Sequence, residues 1–340
     1  MSKTLINEKH VCVSHAADLD GVASAILLTH YIQARYGTTP KVLFANYDDA
    51  GDVLDEALKT ATHLWISDLS IRNLDLASKL AHFNSDTLYF FDHHADTIPF
   101  VETIKDNATI CFDSSGNKCA ADLIWEYISS ENLDSKESLE YLKKATHSRD
   151  LWVNDIPEGA SLSAVIAMLG PEKVYQHLME GIHRVYRSNF SDLMEFCVHV
   201  ADDRVNNAKN LARVSMIRYF YTPDSPKSCA AGLSVIAAFT TGCQSEVGNM
   251  FLTEIPRAMV GLINLETLTL SFRTTKDVIG QLGFGVNSIA QTIDGGGGHT
   301  YAAGAPLSKE ILMQGPRALL ELMLSVVDAK TFEKEGIKAR

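Results

Sequence analysis

Acids and histidines recur in this sequence where short apolar runs stop. The segment His15-Ala-Ala-Asp18-Leu-Asp20-Gly21 sets two carboxylates at alternate positions behind an imidazole, Asp68 follows Trp-Ile-Ser, and Phe91 leads into Asp92-His93-His94. One more acid, Asp150, stands in Thr146-His-Ser-Arg-Asp-Leu-Trp152. Carboxylate oxygens combined with imidazole nitrogens are donors for a hard or borderline divalent cation, and mixed ligation of this kind suits manganese or magnesium better than structural zinc. Each piece also has a plainer reading. HxxDxDG fits a helix start in which Asp20 accepts the first amide hydrogens and Asp18 is merely solvated, and Asp68 fits the cap of a following helix. Asp150 fits an ion pair with Arg149 or another basic neighbour. The run at 91–94 resists such a reading, because a buried strand ending in one acid and two imidazoles places several polar groups where each needs a partner. A metal or a phosphate is such a partner.

A second kind of chemistry is written near the end of the chain. Gly295, Gly296, Gly297 and Gly298 follow Asp294 and precede His299. Consecutive glycines let a main chain approach a phosphate and aim amide hydrogens at it, and His299 would add a donor. A flexible linker is the alternative, but segments with ordered patterning stand on both sides of the run. Arg273, at the end of an apolar run, offers a two-pronged grip on a phosphate; its plainer reading is a surface arginine.

These residues need elements to hold them. β-favouring runs at 11–14, 41–45, 63–67 and 87–91 alternate with helical stretches at 21–36, 53–60 and 74–83. Such alternation predicts α/β architecture, a parallel sheet with helices on both faces. In that architecture ligands gather beyond the carboxyl ends of the strands, where His15, Asp18, Asp20, Asp68, Asp92, His93 and His94 all fall. Residues 115–220 read as mainly helical, with 171–218 long, amphipathic and rich in paired charges. Pro223, Asp224, Ser225 and Pro226 are the clearest linker signal. Beyond them, strands are expected at 230–239, 257–262 and 268–272, and helices at 243–252, 281–289 and 311–327. The expected organisation is therefore a domain over 1–220, a linker at 221–228, and a smaller α/β domain over 229–340, facing the first across a cleft.

Composition sets limits. With 340 residues, two domains are the default, and 46% hydrophobic against 21% charged is the balance of a folded globular protein. A formal charge of -12 argues against broad electrostatic binding of long nucleic acid, so a phosphate substrate must be gripped locally. The six cysteines, Cys12, Cys111, Cys119, Cys197, Cys229 and Cys243, lack CxxC or regular spacing and read as reduced thiols. No apolar run approaches the roughly 20 residues of a membrane span, and the first residues lack the pattern of a secretory leader. A cytoplasmic protein with no membrane partner is expected.

Taken together, HAADLDG, Ser-Asp68, Asp-His-His and Asp150 occur in the order and approximate spacing of the DHH phosphoesterase family. The Asp294–His299 run, preceded by Val286-Asn-Ser-Ile-Ala290 and Ser271-Phe-Arg273, resembles the DHH-associated C-terminal domain of RecJ-type exonucleases and nanoRNases. This resemblance covers nearly the whole chain. It implies one ion held by His15, Asp18 and Asp68 and a second by Asp20, Asp68, His93 and Asp150, with Asp68 shared; imidazoles beside the carboxylates put manganese ahead of magnesium. Some members of the family start with a different spacing or with an aspartate in the place of His15, and His147 and Asp155 flank the fourth motif as alternatives to Asp150. Asp92 would orient a ligating histidine, and His94 would face the substrate phosphate. Arg273, His299 and the four glycines would bind substrate. The implied activity is two-metal hydrolysis of short single-stranded oligonucleotides or linear dinucleotides to nucleoside 5′-monophosphates. Alternatives are a cyclic dinucleotide, a 3′,5′-bisphosphate nucleotide, or a nucleotide sensor without chemistry. An inorganic pyrophosphatase would have a differently built second domain. The resemblance further implies a homodimer, for which 171–218 is a candidate surface or simply a helical subdomain.

Overall fold

Apolar side chains on adjacent residues of one strand point to opposite faces of a sheet, so a strand that is apolar throughout must be covered on both sides. The computed structural model, which describes residues 9–83, 87–221 and 230–335, shows this arrangement. Strands β1 (His10–His15), β2 (Lys41–Ala45), β3 (His63–Ser67), β4 (Leu88–Asp92) and β5 (Thr109–Phe112) form one parallel sheet in the order β2-β1-β3-β4-β5. Val11, Val13, Leu64, Ile66 and Phe90 pack into one buried cluster, and Cys12, Trp65 and Phe91 into another. The first cluster is closed by α2 (Ala50–Thr60), α3 (Leu74–Ala81) and α4 (Ile98–Ile104) through Leu54, Ala77 and Ile104. The second is closed by α1 (Leu19–Tyr36) and α5 (Ala120–Ile128), then α6 (Lys136–Asp150), α7 (Pro157–Leu169) and α8 (Pro171–Glu180).

After β1 the chain passes to β2 on one side and then to β3 on the other. The winding thus reverses direction between β1 and β3, which is where a sheet of this order opens a crevice at its carboxyl edge. Register aligns that edge: Ser14 pairs with Ser67, Ser67 with Phe91, and Phe91 with Cys111. Gly21 lets α1 start against the end of β1, because a Cβ there would lie 2.0 Å from the His15 carbonyl oxygen.

Two compact units part between His199 and Val200. This division lies inside α9 (Asp192–Ser215), ahead of the expected boundary at 220. Met194, Cys197 and Val198 of this helix belong to the first core, while Ala208 and Ala212 belong to the second. Residues 171–218 are not one helical run, since Gly181 follows α8 and the stretch ends in a strand, β6 (Ile217–Phe220). The expected linker at 223–226 lies outside the described residues, as does Cys229. The other cysteines are free thiols.

In the second unit a mixed sheet runs in the order β10-β11-β9-β8-β7-β6, with β7 (Ser234–Thr240) and β8 (Ala258–Asn264) parallel. Next come β9 (Thr269–Thr274), β10 (Gly297–Gly298) and β11 (Ala302–Pro306), all in antiparallel pairs. Helix α10 (Gln244–Glu254) covers one face. The helix expected over 281–289 breaks at Gly283, where φ is +82°, into α11 (Lys276–Leu282) and α12 (Asn287–Ala290). That over 311–327 breaks at Gly315 into α13 (Lys309–Gln314) and α14 (Pro316–Glu335). No helix among the described residues is long and apolar enough to cross a membrane.

Phe90 is fully buried in the cluster beneath α2, α3 and α4. Phe90→Ala should therefore lower the unfolding free energy by about 3–5 kcal/mol in urea titration. A cost below about 1 kcal/mol would mean that this face is not a packed core.

Candidate active site

Asp68 is the first residue after β3, and its backbone is left-handed with φ 55°. Such a conformation costs a non-glycine residue about 1–3 kcal/mol and persists only where the surroundings enforce it. Here the Asp68 amide donates to the Phe91 carbonyl at 2.9 Å, and the carboxylate is turned into the crevice with 1% exposure. Its Oδ2 lies 3.6 Å from His15 Nδ1, and its Oδ1 lies 3.4 Å from His93 Nε2. Asp68 does not cap the next helix; Asn73 does.

Around this carboxylate the other motif residues assemble. His15 Nδ1 is 3.0 Å from Asp18 Oδ2, and His93 Nε2 is 3.7 Å from Asp20 Oδ2 and 3.8 Å from Asp150 Oδ2. Three groups of donors suited to a cation result: His15, Asp18 and Asp68; Asp20, His93 and Asp150; and Asp68, His93 and His94. The fit to divalent cations is tested by Asp68 Oδ2, a buried oxygen without a hydrogen-bond partner. A buried acceptor left so is costly, and a cation between it and His15 would satisfy it.

Roles within the first motif are exchanged relative to the plainer reading. Asp18 caps α1, accepting from the Gly21 amide at 3.1 Å, while its other oxygen faces His15. Asp20, 1% exposed, instead accepts the Ala120 and Ala121 amides at 2.7 and 2.8 Å, the first turn of α5. A helix N-terminus favours an anion, so α5 holds Asp20 across a hundred residues of chain. Asp122 then fastens the same turn to α6, taking the Cys119 amide at 3.1 Å and His147 Nδ1 at 2.6 Å. Since Asp150 ends α6, this contact helps deliver Asp150 to the cluster. His147 is thereby committed elsewhere, and Asp155 is exposed and outside the cluster. Arg149 lays its guanidinium over the Trp152 ring at 4.5 Å, while Asp150 faces His93.

Asp92 orients His94 rather than the expected ligand His93. Its Oδ1 is 2.7 Å from His94 Nδ1, and its Oδ2 accepts from Thr97 Oγ1 at 2.5 Å. On the opposite side, Tyr47 Oη lies 3.1 Å from His94 Nε2. Arg72 covers the Tyr47 ring at 3.4 Å. Tyr47, Arg72, Thr97 and Asp122 do not stand out in the sequence. Tyr47 lies two residues beyond β2, where attention to strand ends would find it; the others carry no local signal.

The charge state follows from this crowding. Burial works against a charged His15, but the hydrogen bond to Asp18 and the facing Asp68 carboxylate outweigh it and push the pKa up to about 10. His93 rises likewise to about 10, burial being overcome by Asp68, Asp20 and Asp150. Burial and then Asp68 and Asp150 raise Asp20 well above the carboxylate range. Burial lifts Asp150 to about 7, with Asp68 and Asp18 adding to the rise and His93 opposing it. For Asp68, burial is outweighed by His15 and His93, which hold it below the usual carboxylate range.

In the second unit, Arg273 lies on β9, half-buried, donating to the Phe272 carbonyl at 2.9 Å and to Ser245 Oγ at 3.2 Å. Burial lowers its pKa and Glu246 opposes that. Arg273, Ser271, Gln244, Gly295 and Gly298 line a concavity of about 590 Å³. The glycine run is not an open loop of free amides. Gly296 donates to the Ile293 carbonyl at 2.9 Å, and Gly297 and Gly298 pair with Gly304 and Ala303. Glycine is required at 296, where a Cβ would lie 2.0 Å from the Ala290 carbonyl oxygen, and at 298, where φ is +126°. His299 is exposed at the hairpin turn, stacked on Tyr301 with ring centroids 5.9 Å apart, and does not line the concavity.

Protonated imidazoles cannot ligate a cation, so metal must displace their protons. With His15 and His93 holding protons up to about pH 10, affinity should rise as pH increases from 6 toward 9. Calorimetry with manganese in buffers of different ionisation enthalpy should register proton release. An affinity indifferent to pH would count against these histidines as ligands.

Residues 9–148 match the DHH family, N-terminal domain. No curated protein matches the chain. Among solved structures, the chain is similar to PggH, a pGpG-specific phosphodiesterase from Vibrio cholerae, at 14% identity and a TM-score of 0.55, covering 95% of this chain and 100% of that one. It is similar to the DHH domain of a member of the s1p family of ribosomal proteins, at 13% identity and a TM-score of 0.64, covering 97% and 88%. Similarity extends to RecJ in complex with Mn2+ from Thermus thermophilus, at 14% identity and a TM-score of 0.52, covering 96% of this chain and 53% of that one. The ordered motifs and the family match agree over the first unit: residues 9–148 form a DHH family N-terminal domain, and the solved structures share the fold of the chain.

Proposed function

We propose that this protein is a cytoplasmic, divalent-metal-dependent phosphodiesterase that hydrolyses linear dinucleotides and short single-stranded oligonucleotides to nucleoside 5′-monophosphates. The observation that carries this reading is the convergence of four aspartates and three histidines at one sheet edge, with the two oxygens of Asp68 turned toward different imidazoles. The end-to-end match with a pGpG-specific phosphodiesterase supports a short substrate, and the net charge of -12 disfavours a long polyanion.

His15, Asp18 and Asp68 would hold one cation, and Asp20, Asp68, His93 and Asp150 the other, manganese ahead of magnesium given a manganese-bound neighbour. Charge neutralisation at the phosphoryl oxygens and a more acidic attacking water are what such cations supply when bound. The protein's own part is to position. Burial disfavours charge on His94, but the Asp92 hydrogen bond and the Asp68 charge overcome this and raise its pKa. His94 would donate Nδ1–H to Asp92, and in its charged form Nε2–H, near Tyr47, would face a phosphate oxygen of the substrate. Arg273 with Gly295 and Gly298 would anchor a phosphate in the second unit's concavity, with Gly296 and Gly297 shaping that turn, whereas His299 lies outside its lining. Thr97 and Asp92 keep the His94 ring from rotating.

Metal-stripped protein, with and without manganese, is to be incubated with a linear dinucleotide, a five-residue RNA, a long single strand and a cyclic dinucleotide. Manganese-dependent release of mononucleotides from the two short substrates is expected, and Asp68→Ala should abolish it while remaining folded. Cleavage of the cyclic dinucleotide alone would replace this reading with second-messenger turnover; nucleotide binding without hydrolysis of any substrate would make the protein a sensor. Asp92→Ala should retain about 1–10% of wild-type turnover, the loss typical when the partner of an active-site histidine is removed. Arg273→Ala should raise KM more than it lowers kcat.

A further inference from the structure

Directly after Asp150 the chain does something costly. Helix α6 stops at Asp150, and Trp152 and Asn154 then both take left-handed backbone conformations, with φ 57° and 54°. Neither is glycine, so the surroundings must hold them there. They do: the Trp152 amide donates to the Arg149 carbonyl at 3.2 Å, and the Asn154 amide to the Ser148 carbonyl at 2.9 Å. Buried Ser148 accepts the Asp155 and Ile156 amides on its hydroxyl, each at 3.0 Å, and Asn154 Nδ2 donates to the Trp152 carbonyl at 3.1 Å.

The product of this bracing is an indole presented to solvent. Trp152 is 37% exposed, whereas Trp65 is fully buried. Arg149 packs on the Trp152 ring with its guanidinium 4.5 Å from the centroid, a cation–π contact that stiffens the platform. Only Leu151 separates Trp152 from Asp150, so their Cα atoms lie within about 7 Å. That spacing is comparable to the distance between a nucleotide's phosphate and its base.

We propose that Trp152, backed by Arg149, is a stacking platform for a nucleobase of the substrate, and so a specificity-determining residue that requires a base next to the scissile phosphate. The proposal rests on the phosphodiesterase reading above for the identity of the substrate. A phosphodiester placed at the Asp68, His93 and Asp150 cluster would have its adjoining base within reach of the exposed indole, two positions along the chain from Asp150. Stacking on an aromatic face tolerates every base, so this contact selects nucleotides over base-free phosphodiesters without choosing among purines and pyrimidines.

Tryptophan emission and kinetics test this on the full chain. AMP should quench the emission of the wild-type protein, ribose 5-phosphate should not, and Trp152→Phe should lose the quench, because Trp65 and Trp125 remain unaffected. Trp152→Ala should raise KM for a linear dinucleotide about ten-fold with kcat nearly unchanged, and Trp152→Phe should restore most of it. For an analogue lacking the base on one side, the Ala variant should match wild type. An equal loss on the base-free analogue would overturn the proposal, reducing Trp152 to a support for Asp150. An unchanged KM, or a variant altered only in self-association, would overturn it too. Quenching by AMP without hydrolysis of any diester would leave the platform standing and remove the phosphodiesterase reading; hydrolysis without quenching and with unchanged KM would do the reverse.

Discussion

A carboxylate buried away from water must be compensated, and in this protein the carboxylate at issue is Asp68. It stands at 1% exposure on a left-handed backbone, with a different imidazole facing each oxygen. Placing an isolated charge in such surroundings is prohibitive, so the residue is tenable only as the centre of a cluster that shares its charge. Everything around it answers that demand. The acids raise the pKa of His15 and His93, so these imidazoles can balance their charge, and the unpartnered oxygen marks where a cation is the better partner.

The sheet exists in the form that meets this demand. Because the winding reverses between β1 and β3, the ends of those two strands and of β4 open on one crevice, and parallel register brings them level. Helix α1 can begin at once only because Gly21 has no side chain against the His15 carbonyl. The most distant member, Asp150, arrives through a chain of hydrogen bonds: Asp20 takes the first amides of α5, Asp122 in that turn takes His147, and His147 belongs to the helix that Asp150 ends. Each link satisfies a polar group that burial would otherwise leave costly. The geometry of the site and the stability of the helical layer are thus one set of contacts.

The second unit uses glycine differently from the way its run of four invites. Rather than a free loop, the run is a turn tightened against α12 and extended into a short strand, and most of its amides serve the fold. Absence of side chains there lets β10 lie flat beside β11, and the concavity next to it keeps Arg273 within a half-buried, polar surface. An arginine in that position is held by Phe272 and Ser245, with donors remaining for an anion.

The sequence by itself determined the parallel α/β architecture of the first unit and the identity of the residues at the cluster. Apolar runs of four to six residues that end in acids and histidines have little meaning other than buried strands delivering polar groups to one edge. It did not determine which partner each polar group would take. Local pattern points to Asp20 as the helix cap where Asp18 serves, and to His93 as the partner of Asp92 where His94 is, and it gives no sign of Arg72, Thr97 or Asp122. The breaks at Gly283 and Gly315 and the short strands β5, β6, β10 and β11 escape it as well, because each depends on pairing or packing from far along the chain. Local pattern reports which face a residue must turn inward. Only tertiary structure decided what that face meets, since hydrogen-bond partners such as Asp20 and Ala120 are a hundred residues apart and no periodicity links them.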